Sequence, residues 1–268
     1  MTAPDHRRSG PARLRLGSPD ATAKRARRDP LSAERIVDVA LAQITTRGYD
    51  AVSMRSIARE LGTGPASLYA HVSSRDELDA LVVERVAGAL EIPDPDPERW
   101  REQIRGVMVD MLRLYDAHPG VARASLGLVP LSPTVLGVVE RLTAILRAGG
   151  VPDQAIAWFL DMMVLYVSAV AVERDIERSR ETHGGDPDAY YDQVHDYFAS
   201  LPPAEFPVLA SLAGAMTAGD ADDRFGFGAD LMVAGLSAFA SGAVTTRRPA
   251  RPGRDVPAAS SSERNSGD

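Results

Sequence analysis

The stretch that most limits what this chain can become is residues 53 to 75, Ser-Met-Arg-Ser-Ile-Ala-Arg-Glu-Leu-Gly-Thr-Gly-Pro-Ala-Ser-Leu-Tyr-Ala-His-Val-Ser-Ser-Arg. Ser53 stands at an N-cap position with Val52 before it and Ile57 after it, which joins a capping side chain to a hydrophobic staple. Ile57, Ala58 and Leu61 then form one apolar stripe, and Gly62 supplies the left-handed residue that ends a helix at low cost. Gly64 and Pro65 open a second helix at once, because the N–H that proline lacks has no partner in a first turn anyway. Leu68 faces inward from this helix and leaves Ser67, Tyr69, His71 and Arg75 as polar handles. Two short helices joined by so tight a turn make a helix-turn-helix unit.

The remainder of the chain is punctuated in the same way, and the expected fold class is all-α. A buttressing helix starts at Ser32, with Leu31 and Ile36 as its staple, and runs to Gly48. Ser74-Arg75-Asp76-Glu77 is a capping box at the head of a longer helix through Leu78, Leu81, Val82 and Val86, closed by Pro93, Pro95 and Pro97. Helical spacing continues from Trp100 to a break at Pro119-Gly120, and again from Ser132-Pro133 to Gly149-Gly150. From Pro152-Asp153 the pattern is apolar around the whole helix, which implies burial on more than one side. Residues 173 to 192 turn acidic around Gly184-Gly185 and read as a solvated helix end and a loop. Three more helices are expected over 190–198, 206–216 and 222–243. The expected organisation is a disordered basic arm over 1–30, a three-helix head over 31–76, a larger helical body over 77–244 and a disordered tail over 245–268.

Charge divides along the same line. Residues 1 to 75 carry 13 Lys and Arg against 7 Asp and Glu, whereas residues 76 to 244 carry 12 against 27. A basic first third beside an acidic body points to a polyanion partner for the head, although a solvated Arg-rich leader fits the charge alone equally well. Cysteine is absent, which excludes disulfide staples and thiol catalysis and suits a reducing cytoplasm. No uninterrupted run of about 18 apolar residues and no N-terminal signal core occur, so neither membrane insertion nor export is expected.

Two separated motifs resemble the tetracycline-repressor family of bacterial transcription regulators. Ser53-Met-Arg-Ser-Ile-Ala-Arg-Glu-Leu-Gly, followed by Ser67-Leu-Tyr-Ala-His-Val and Arg75-Asp-Glu-Leu, matches the family's three-helix head in order and spacing. Arg224-Phe-Gly-Phe-Gly-Ala-Asp-Leu-Met-Val-Ala-Gly-Leu resembles the final helix of the subgroup nearest the tetracycline repressor itself. The resemblance implies a homodimer on double-stranded palindromic operator DNA, with an inducer pocket in the body. By positional match Arg55 would contact base or phosphate, Ala66, Ser67, Tyr69 and His71 would present the recognition helix, and Arg75 would meet phosphate. Tyr69 and His71 also fit as aromatic wedges between helices. Pro65 lies where that repressor has a polar base-reading side chain, so its operator sequence does not carry over. A recognition helix this short reaches few bases, and two heads are needed for useful specificity.

In the terminal helix, Phe225, Phe227, Leu231, Met232, Leu236 and Phe239 alternate with small residues, a pattern assigned to a dimer interface with an interior position as the alternative. On the ligand side the match departs from the tetracycline repressor. Val107, Met111 and Ser125 stand where that protein has an amide, an aromatic and a metal-binding histidine, and Leu90 replaces another histidine. Glu173 matches an acidic residue of the same site, but one carboxylate without imidazole is a weak magnesium site, so no metal and no cofactor is expected. A largely apolar inducer is expected instead, lined by some of Met108, Met111, Tyr115, Leu126, Trp158, Met162, Met163 and Tyr166, with Ser125 and Glu173 as polar members. Each of these residues also fits a plain core.

Enzyme readings find little to stand on. The chain has no Gly-x-Ser-x-Gly, no Gly-Lys-Ser/Thr phosphate loop and no His-Glu-x-x-His, and no catalytic residue is assigned. His195 and Asp196 are neighbours in sequence and so point to different helical faces. A helical small-molecule-binding or scaffold protein remains the alternative, and it leaves the head without a use.

Overall fold

Serines and glycines set the ends of the first helices. In the computed structural model, which describes residues 30–126, 131–182, 184 and 186–246, helix α1 (Ala33–Arg47) begins where the Ser32 hydroxyl accepts the Arg35 N–H, and ends at Gly48 with φ +80°. A short 3-10 turn at Tyr49–Ala51 leads to α2 (Met54–Leu61), capped reciprocally: Ser53 Oγ accepts from Ser56 N–H at 3.2 Å, and Ser56 Oγ accepts from Ser53 N–H at 2.9 Å. Gly62 closes α2 in the left-handed region at φ +64°. Helix α3 (Pro65–Leu68) is a single turn with Pro65 in its first turn. At the start of α4 (Arg75–Ala87) Ser74 Oγ accepts from Glu77 N–H, but Glu77 reaches back to the N–H of Ser73, one residue earlier than a regular capping box would place it. The arm expected over 1–30 lies outside the described residues except for residue 30, as does the tail over 245–268 except for 245 and 246.

The head closes around Ile36, Ala40, Ile44, Ile57, Leu68, Val72, Leu78 and Val82, all essentially fully buried. One polar group lies among them. Gln43 donates to Ser56 O and to Glu60, and accepts from Ser56 Oγ at 2.7 Å, so a buried amide finds its partners and ties α1 to α2.

The body comprises α5 (Trp100–Ala117), α6 (Val121–Ser125), α7 (Pro133–Ala148), α8 (Asp153–Thr182), α9 (Pro187–Ala199), α10 (Pro207–Met216) and α11 (Ala221–Ala240), and no strand occurs among the described residues. Helices α5 and α8 form its centre, α7 and α11 flank them, and α9 and α10 pair chiefly with each other. Trp100 is buried against Gly149, where a Cβ would overlap the indole ring. Two helices join head to body: α4 packs on α1, α6 and α7, while α6 packs on α1, α4 and α8.

Helix α8 is longer than its apolar stretch. The expected solvated segment after 173 stays helical to Thr182, because Arg174 and Arg178 both pair with Asp116 of α5 and Arg178 also pairs with Asp175 one turn away. By length and composition α8 meets the requirement for a bilayer-crossing helix. In this fold its Phe159, Met163, Val167, Ser168 and Ala171 are buried among the neighbouring helices.

Candidate functional site

The head presents a polar surface on a fixed apolar anchor. Leu68 and Val72 are fully buried, and between and around them Arg55, Ala66, Ser67, Tyr69 and His71 are exposed. Tyr69 and His71 are therefore outward-facing groups and do not wedge helices together.

Arg75 differs from the other five residues expected to meet DNA. Its Nε donates to both Asp79 carboxylate oxygens at 2.8 and 3.0 Å, its Nη1 donates to Val52 O, and its guanidinium lies 4.4 Å from the centre of the Tyr49 ring. Tyr49 completes the group by donating its hydroxyl to Asp79 Oδ2 at 2.6 Å. Burial works against the Arg75 charge, but the Asp79 carboxylate outweighs it and holds the guanidinium above its ordinary value. The tyrosine hydroxyl is likewise raised, by burial first and by the Asp79 hydrogen bond second. The guanidinium is committed to internal partners, which corrects its expected role as a free phosphate contact.

Arg123 of α6 comes to the opposite edge of this group. It pairs with Asp50 at 2.8 Å and stands 6.0 Å from the same Tyr49 ring. Just before it, Gly120 adopts φ +91° and donates its N–H to Asp175 of α8 at 2.6 Å. A Cβ at Gly120 would stand 2.9 Å from Ile44 Cγ2 of α1, so body and head approach each other more closely here than a side chain permits.

The body holds a cavity of about 380 Å³ enclosed by α4 to α8. Val83, Val86, Ala87 and Leu90 come from α4 and its end, Met111, Leu114 and Tyr115 from α5, Ser125 from α6, Leu131 and then Val135, Leu136, Val138, Val139 and Leu142 from α7, and Leu160, Asp161, Met163 and Val164 from α8. The inner wall carries a small hydroxyl network: Tyr115 donates to Ser125 Oγ at 3.2 Å, and Ser125 lies 2.7 Å from Ala122 O and 3.0 Å from the fully buried Ser168 Oγ. A mainly apolar wall with a few convergent polar groups suits a small organic molecule.

Of the expected ligand residues, Met111, Tyr115, Ser125 and Met163 line this cavity. The others do not. Met108 is wholly buried in the core behind it, and Leu126 is exposed beside residues 127–130, which lie outside the described set. Trp158 and Met162 are each 50% exposed on the outer side of α8, and Glu173 is exposed further along the same helix. Tyr166 turns to α11 instead, stacking on Phe225 at 5.6 Å and donating to Phe225 O at 3.1 Å. The α7 wall and Asp161 were missed; Leu136, Val139 and Leu142 are visible in the sequence only as one more helical stripe.

The terminal helix also needs correction. Phe225 and Leu236 are buried within the subunit, and Met232 and Phe239 pack partly buried against the core, while Phe227 and Leu231 are 71% and 63% exposed. The sequence pattern mixed an inner stripe with an outer one. Among the described residues no three His, Asp or Glu side chains gather as a metal site, and His195 Nδ1 lies 2.9 Å from Thr217 Oγ1 as a local link between α9 and the end of α10.

Comparison with known proteins agrees with this architecture. Residues 36–80 match the family model described as bacterial regulatory proteins, tetR family, and residues 92–240 match the tetracyclin repressor-like C-terminal domain. The chain is 31% identical to the HTH-type transcriptional repressor DrrR1 of Streptomyces coeruleorubidus over 80% of this chain and 82% of that one. Among solved structures it is similar to ActR of Streptomyces coelicolor in complex with actinorhodin, with a TM-score of 0.72 and 41% identity over 79% of this chain and 99% of that one. ActR in complex with (S)-DNPA aligns with a TM-score of 0.71 at the same 41% identity, covering 79% of this chain and all of that one. The chain belongs to the tetR family of bacterial regulatory proteins, with a helix-turn-helix head on a tetracycline-repressor-like helical body.

Proposed function

We propose that this chain is a cytoplasmic transcriptional repressor that holds a palindromic operator as a homodimer and lets go when a small, largely apolar molecule enters the body cavity. The observation that carries this reading is the double contact of α6. Ser125 lines the cavity, and two residues earlier Arg123 pairs with Asp50 of the head. A molecule that displaces Ser125 from Tyr115 and Ser168 therefore acts on the same short helix that meets the head. Helix α4 provides a parallel route. With a domain boundary near residue 76, its first turn carries the Arg75–Asp79 pair and its later turns supply Val83, Val86 and Ala87 to the cavity wall.

In this reading Arg55, Ala66, Ser67, Tyr69 and His71 face DNA, and Arg75 positions the turn that presents them. Trp158 and Met162 of α8 with Phe227 and Leu231 of α11 form the contact between subunits. The complex of ActR with actinorhodin and the description of DrrR1 as a repressor support the same assignment. The test is selection of a duplex from a random library by the purified protein, followed by titration in the presence of actinorhodin. Expected are a two-fold symmetric site and a binding curve shifted to weaker affinity by the ligand. Full operator affinity in the Arg55→Ala, Tyr69→Ala double variant would overturn the DNA-face assignment, and equal affinity with and without ligand would overturn the release mechanism.

A further inference from the structure

We propose that the cavity selects a cationic ligand, a ring-bearing and mostly apolar molecule with one protonated amine held at the mouth by Asp161. This rests on the reading of the cavity as the ligand site and adds the charge of its occupant. Asp161 is the one charged residue among those that line the cavity, and it sits on α8 between the apolar wall residues Leu160 and Val164. Its carboxylate forms no hydrogen bond or ion pair with any other described residue, whereas the basic groups of the flanking helices are engaged elsewhere. Arg85 of α4 pairs with Asp38, Arg141 of α7 donates to Ile92 O, and Arg147 of α7 pairs with Asp153.

An exposed carboxylate keeps its hydration and needs no partner to be tolerated. Placed beside a low-dielectric wall, it also attracts an ammonium more strongly than an open-surface carboxylate does, because little water lies behind it to screen the pair. The surrounding charge works in the same direction. Residues 76 to 244 carry 12 Lys and Arg against 27 Asp and Glu, so a cation approaches the mouth downhill and an anion uphill. At the far end of the cavity Ser125 and Tyr115 offer only neutral hydroxyls, which leaves the mouth as the one charged recognition point. The cavity volume of about 380 Å³ accommodates a three-ring body with its amine at the rim.

A matched set of fluorescent probes tests this: 2-(aminomethyl)anthracene, its N-acetyl derivative and anthracene-2-carboxylate, titrated by anisotropy against the full chain without DNA. The expected result is tightest binding of the ammonium, about tenfold over the acetyl compound, which corresponds to about 1.4 kcal/mol, and weakest binding of the carboxylate. Asp161→Asn should erase the ammonium preference without changing the affinity for the acetyl probe, and Glu140→Gln, on the neighbouring helix but outside the cavity, should leave all three unchanged. Equal binding of the three probes by the wild-type protein overturns the proposal, as does an ammonium preference that survives Asp161→Asn or a failure of all three probes to bind. In each of those cases, operator release by actinorhodin leaves the repressor reading standing, and absence of that release removes both.

Discussion

Replacing Gly120 with alanine probes how the head is held on the body. Two separate costs follow from its position. Its φ of +91° is left-handed, which costs an L residue about 1–2 kcal/mol. The added methyl would stand 2.9 Å from Ile44 Cγ2 and 3.5 Å from Tyr49 Cβ, an overlap across two packed helices that costs about 1–3 kcal/mol. Together they give a loss of about 2–5 kcal/mol, and at about 2–4 °C per kcal/mol the melting midpoint falls on the order of 5–15 °C. Thermal and urea unfolding followed by circular dichroism would measure it. Gly137→Ala is the internal comparison: this residue lies inside α7 with nothing within 4 Å of its missing Cβ, so alanine there should stabilise by about 0.5–1 kcal/mol. A Gly120→Ala protein within about 0.5 kcal/mol of wild type would refute the close-approach account of the junction.

Gly228→Ala drives a methyl onto the Tyr166 ring and should force α8 and α11 apart, whereas Tyr166→Phe removes only the hydrogen bonds to α11 carbonyls and should cost about 0.5–1.5 kcal/mol in unfolding. The reverse ranking would mean that α11 is held by something other than this stack. Phe227→Glu with Leu231→Glu places two carboxylates on exposed positions of α11 and should yield a folded monomer by sedimentation equilibrium; a surviving dimer would remove α11 from the proposed interface. The Glu77 carboxyl is held below its ordinary value of 4.5 by the Ser73 hydroxyl and N–H, so its contribution is present above that value and lost as pH falls through the depressed one. Amide exchange at the start of α4 between about pH 6 and pH 3 should therefore show an acid limb that Glu77→Gln flattens, and an unchanged limb would argue against the cap.

Local chemistry made the helix ends legible before any coordinates. Ser32, Ser53 and Ser74 cap where a short side-chain acceptor followed by an apolar run predicts, and Gly48 and Gly62 stop their helices in positive φ. What stayed hidden is rotational phase. Helix α8 is apolar on every side, so hydropathy cannot tell Met163, which faces the cavity, from Met162, which faces out. The phase is set by tertiary packing of Ala155, Phe159, Met163, Val167 and Ala171, with the polar Ser168 buried beside them because Ser125 waits across the interface. Arg75 was misjudged for a related reason. Its partners Asp79, Val52 O and Tyr49 lie on three different segments, and the spacing along the chain says nothing about their convergence.

The 30 residues of α8 make a rod about 45 Å long, and it touches every part of the body that matters for the proposed switch. Leu160, Met163 and Val164 meet the cavity near one end, and Asp175 holds Gly120 at the junction near the other. A stiff rod converts angle into distance: a tilt of about 5° displaces its far end by about 4 Å. Ligands need not reshape the cavity much to disturb the junction, provided the helix stays unbroken. Continuity through residues 173–182, where the side chains turn charged, is then what gives the lever its length.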